Sequence, residues 1–132
     1  MVIEELYSSA FLRGVESFNR GAYFNAHDCW EECWIAKGRP ADGLMKGLIQ
    51  AAVAMHHLSR GNLTGAEKLL ARLRKCLAPC RPNQFGFNVE KLVDEMAACL
   101  SQSSVNSPIT LRFDVRRGPQ IQLDQPVCAS SE

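Results

Sequence analysis

The chain has 132 residues, with 15 Lys and Arg against 14 Asp and Glu and a net charge of +1. That length suits one domain with its own hydrophobic core and leaves little for a second. The balanced charge supplies no overall field to gather nucleic acid or an acidic membrane surface, and no long uninterrupted apolar run predicts a membrane span or a secretory signal. The expectation is a cytoplasmic protein that binds neither nucleic acid nor membrane.

Apolar residues recur with helical period at Ile3, Leu6, Ala10, Phe11, Gly14, Val15 and Phe18, which predicts a first helix over residues 3–19, ending before Gly21. A second is expected over 23–37, stopped by Gly38-Arg39-Pro40, and the short connection makes it an antiparallel neighbour of a third over 42–59. Small residues on the third, Gly47, Ala51 and Ala54 with Gln50 and His57, mark the stripe where the second helix is expected to pack. A fourth amphipathic helix follows over 64–76, with Lys68, Arg72, Arg74 and Lys75 as a solvated face, and a fifth over 88–100. Beyond it the period changes to two: Ile109, Leu111, Phe113 and Val115 alternate with polar residues before Gly118-Pro119 and Ile121. The resulting expectation is an all-α, compact bundle of five helices in residues 1–102, with 103–132 an extended C-terminal tail, either a short hairpin or an arm laid over this subunit or a neighbour.

The cysteines Cys29/Cys33 and Cys76/Cys80 are spaced i,i+4, which would allow two ligands apiece to zinc, but structural zinc more often takes CxxC knuckles. Without an export signal they read as reduced, buried thiols. No GxSxG elbow, HExxH or glycine-rich phosphate loop is present.

Chemistry concentrates in the second helix, where His27, Asp28, Glu31 and Glu32 stand among large aromatics. His27, Glu31 and Trp34 share a stripe, the one a core would claim. Paired with His57 of the third helix they make two imidazoles and one carboxylate, the donor set of open sites for zinc, iron or manganese. His27, Glu31 and His57 are the candidate metal ligands, Glu31 and Asp28 the candidate catalytic groups with Glu32 as another acceptor, and Gln50, Trp34 and Tyr23 the residues supporting them. The competing expectation is a buried network fixing helix register in a non-enzymatic helical interaction or dimerisation module, such as a homodimer. His56 is expected to point about 100° away from His57, and Tyr23, Phe24, Trp30 and Trp34 read as core aromatics.

Phe18-Asn19, Tyr23-Phe24-Asn25-Ala26-His27-Asp28, Glu31 and Trp34, followed by Gly47-Leu48-Ile49-Gln50 and His57-Leu58-Ser59-Arg60-Gly61-Asn62, resemble the helical family catalogued as domain of unknown function 309. The resemblance spans about residues 11 to 100. It implies a compact helical fold and a sometimes-used label of predicted metal-dependent hydrolase; the small-molecule substrate of such an activity is not specified by the sequence. This chain has Asp28 where the family has glutamate and Trp30 where it has leucine.

Overall fold

The computed structural model describes residues 8–40, 43–80, 83–84, 87–105 and 118–121. Ser8 caps the first helix, α1 (Ser9–Asn19), by accepting from the Phe11 amide at 3.2 Å, which satisfies one of the donors a helix start leaves free. α2 (Tyr23–Ala36), α3 (Leu44–Ser59), α4 (Leu63–Leu77) and α5 (Val89–Val105) follow, so the described fold is all-α, as the periodicity predicts. α5 passes residue 102, where the tail was expected to begin. Residues 3–7 of the expected first helix, the start of the third and most of the expected hairpin lie outside the described residues.

Three of the helices end in the same way. At α1, α2 and α3 a glycine with positive φ, Gly21 (86°), Gly38 (89°) and Gly61 (83°), turns the chain left-handed. The next amide reaches back to an orphan carbonyl, Ala22 to Ser17 at 2.8 Å, Arg39 to Trp34 at 2.9 Å and Asn62 to His57 at 2.8 Å. These are Schellman closures, and they allow connections short enough for consecutive helices to pack side by side. Between α4 and α5 the chain makes a 3-10 turn, Ala78–Cys80, and a minimal antiparallel ladder pairing Asn83 with Asn88 and Gln84 with Phe87, which the sequence reading did not include. Asn88 then caps α5 through the Lys91 amide at 2.9 Å.

The core is assembled from Phe11 and Phe18 of α1, Trp30 of α2, Leu48 and Met55 of α3, Leu73 and Leu77 of α4, and Leu92 and Met96 of α5. One close join is between α1 and α2. Trp30 is fully buried and lies over Gly14, where any Cβ would overlap the indole, and its Nε1 donates to the Phe11 carbonyl at 3.1 Å. Gly47 plays the corresponding part between α3 and α4: its missing Cβ makes room for Leu77. This corrects the expectation that the small-residue stripe serves α2 throughout, since its first member admits α4.

Contacts at the two ends set the register of α2 on α3. The Phe24 ring lies 5.5 Å from the His56 ring, and Lys46 Nζ sits 4.7 Å above the Trp34 ring. The start of one helix therefore meets the end of the other, which makes the pair antiparallel and brings Gln50 level with Trp30 and Glu31.

Candidate metal centre on the second helix

α2 buries Tyr23, Ala26, Trp30 and Cys33, a stripe with the three- and four-residue spacing of a helix face. His27 stands about 80° from the centre of that stripe and Glu31 still farther, because the helix advances about 100° per residue. The sequence expectation that His27, Glu31 and Trp34 occupy the core face is therefore corrected: Trp30 takes it. The ionisable residues emerge along the edge, with the His27 side chain 22% exposed and that of Asp28 60% exposed. A fully buried register network is not what the cluster forms.

What forms instead is a surface group. Ligand atoms of His27, Asp28 and Glu31 all lie within 4.8 Å of one another. His27 Nδ1 and an Asp28 carboxylate oxygen are 3.1 Å apart, so the acid bends back across the helix and orients the imidazole. Glu32 leans the other way, 3.9 Å from Arg13 of α1, a solvent-exposed pair of little energetic weight. Among the described residues, this is the one group of three or more His, Cys, Asp or Glu side chains with donor atoms so close, and it contains no cysteine. Cys33, Cys76, Cys80 and Cys99 are buried thiols outside any disulfide, and burial pushes those of Cys80 and Cys99 up.

His57, expected as a third ligand, is not in the group. Its Nδ1 lies 3.3 Å from Asn62 Nδ2 and its carbonyl accepts the Asn62 amide, so the residue belongs to the α3–α4 corner. The His-Leu-Ser-Arg-Gly-Asn stretch is thus a turn whose first and last side chains meet. Tyr23 and Trp34 also have other work. Tyr23 packs edge-on against Phe18 at 5.2 Å, and burial, then the Cys99 thiol, raises its phenol far above the ordinary value. Trp34 donates to the Pro40 carbonyl at 2.8 Å, tying the end of α2 to the following turn. Gln50 stays relevant, since its buried Oε1 lacks a hydrogen-bond partner and the register sets it level with Glu31.

Two residues that sequence reasoning assigned elsewhere stand beside the group. Phe24, expected in the core, is 57% exposed and stacks on His27 at 5.5 Å with 20° between the rings. Its other neighbour is His56, whose pKa is lowered from its ordinary value by partial burial and then by the nearby Arg60 guanidinium and the His57 and His27 imidazoles. The available signal was the antiparallel register, which pairs the first turn of α2 with the last turn of α3.

The sequence model of the family described as "Domain of unknown function (DUF309)" matches residues 11–69. Both motifs read from the sequence fall inside that stretch, although the match stops short of residue 100. An uncharacterized protein of Aquifex aeolicus (strain VF5) is 25% identical over 101 residues. That stretch covers 76% of this chain, and the chain spans only 30% of the length of that relative. No solved structure matches. Among the described residues no helix is long and apolar enough to cross a membrane.

Proposed function

We propose that the chain holds a divalent metal ion on the edge of α2 through His27, Asp28 and Glu31, and that this centre supports hydrolysis of a small-molecule substrate. The observation that carries this reading is the convergence of the three donor groups within 4.8 Å at a solvent-reachable edge. One imidazole and two carboxylates suit zinc, iron or manganese, and with three protein ligands coordination positions stay open for water and substrate. Such an ion, when bound, lowers the pKa of a coordinated water and so supplies a hydroxide near neutral pH. Asp28 fixes the imidazole orientation through Nδ1, Glu31 lies one turn along from His27, and Gln50 Oε1 offers a buried acceptor with no protein donor. His56, whose pKa is lowered from its ordinary value first by burial, lies across the Phe24 ring from His27.

Elemental analysis of the untagged protein, purified without chelator, beside His27→Ala and Glu31→Gln tests the reading. Near-stoichiometric zinc, iron or manganese in the parent and its loss from both variants is the expected result, with unchanged helical circular dichroism. A parent that carries no metal and takes up none on titration removes the hydrolytic chemistry. The exposed Phe24 favours a second reading, an aromatic interaction face beside the cluster that pairs two copies, and a metal-free chain that sediments as a Phe24-dependent dimer would support it.

A further inference from the structure

The segment Gly118–Ile121 meets α1 and α5 at residues distant from it in sequence, and its backbone is read by side chains. Asn19 Nδ2 donates to the Ile121 carbonyl at 2.9 Å, and Asn19 Oδ1 accepts the Ile121 amide at 2.7 Å. The preceding peptide is held by an ion pair: Glu95 Oε1 accepts the Gln120 amide at 3.0 Å, and Lys91 Nζ donates to the Gln120 carbonyl at 3.3 Å, while Lys91 and Glu95 are themselves 2.9 Å apart. All four main-chain polar groups of Gln120 and Ile121 are satisfied, as they would be in a sheet, yet among the described residues no strand lies alongside. Gln120 Nε2 returns a bond at 3.1 Å to the Asn19 carbonyl, one of the orphans at the end of α1. Ile121 is 5% exposed, and Gly118 and Pro119 are buried.

Main-chain recognition with one buried aliphatic anchor is how extended peptides are bound by strand addition, where backbone bonds give affinity and pockets give selectivity. We propose that Asn19, Lys91 and Glu95 form a receptor for an extended peptide ending its contact in a branched aliphatic residue, and that Gly118–Ile121 is a separable ligand occupying it. The receptor lies on α1 and α5, and Asn19 is within the part of the chain that matches the family, whereas the occupant is outside it. The receptor is therefore available to the same kind of segment from another chain whenever its own is displaced.

The test uses the full chain carrying Ile121→Ser and a fluorescent peptide of the sequence Arg116 to Asp124. Saturable binding is expected by anisotropy, about tenfold or more tighter than to the unsubstituted chain, whose own segment competes. Adding Asn19→Asp, which turns a donor into a carboxylate facing a carbonyl, weakens binding by about tenfold or more, and a peptide with Asp in place of the isoleucine does not bind. Absence of binding to the Ile121→Ser chain, or equal binding of the Asp peptide, overturns the proposal. So does unfolding of the Ile121→Ser chain, because a separable ligand must leave a folded receptor behind.

Discussion

At position 14 the side chain that matters is the one that is absent. Trp30 fills the space a Cβ would occupy, so Gly14→Ala forces the indole or its helix to move, and rearranging a packed core in this way costs about 1–3 kcal/mol. Urea denaturation is expected to show that loss in the parent and under about 1 kcal/mol in a Trp30→Leu background, where the smaller side chain leaves room. An equal loss in both backgrounds would mean that the indole is not what excludes the methyl. The same indole explains the principal error in reading α2 from its sequence. Trp30 and Trp34 are both large and apolar, and periodicity alone does not say which of two adjacent stripes turns inward. The glycine on the facing helix selects Trp30, and that selection brings His27 and Asp28 to the surface.

At the level of whole helices, Asn62 serves two of them. Its amide closes the Schellman turn of α3, its Oδ1 accepts the Gly65 amide at 2.9 Å as the N-cap of α4, and its Nδ2 meets His57. Asn62→Ala is expected to lower stability by about 1–2 kcal/mol, the weight of a lost cap plus a side-chain contact. Asn62→Asp, which keeps the capping oxygen, is expected to lose less than half of that in the same urea titration. Matching losses for the two variants would assign the effect to the His57 contact instead of the cap. Helix positions and their glycine-marked ends were legible in the sequence because they depend on local chemistry, namely apolar period, capping residues and left-handed turns. The site was legible only as far as α2 itself. His27 and Glu31 follow from i,i+4 spacing, and Asp28 joins through its own side chain. The assignment of His57 needed the direction of a side chain at a helix corner, which depends on Asn62 five residues later. Phe24 and His56 needed the register between two helices, which no single periodicity contains.

Across the whole molecule, Tyr23 is a point where three helices meet: it rises from α2, packs on Phe18 of α1 and faces the Cys99 thiol of α5. Burial raises the phenol of Tyr23 and the thiols of Cys99 and Cys80 above their ordinary values, so the folded state holds these protons more tightly than the unfolded chain does. The sign follows: their contribution to stability is complete below about pH 8 and is lost as pH rises through the ordinary thiol and phenol range. Denaturation midpoints are therefore expected to fall steadily above about pH 8, and in a Tyr7→Phe chain the remaining phenolate absorbance is expected to appear together with loss of helical circular dichroism. Phenolate appearing near pH 10 in a chain that stays helical would contradict the buried placement of Tyr23.

The two indoles give this small bundle separate optical signals. Trp30 is sealed among Phe11, Phe18 and Gly14, whereas Trp34 is partly open to solvent, with a lysine ammonium over its ring and its N–H on the Pro40 carbonyl. One chromophore emits from an apolar interior and the other from a wet, charged edge at the far end of the same helix. Their emission bands and their access to a dissolved quencher differ accordingly, so a disturbance confined to the α2–α3 turn and a loosening of the interior carry distinct spectral signatures.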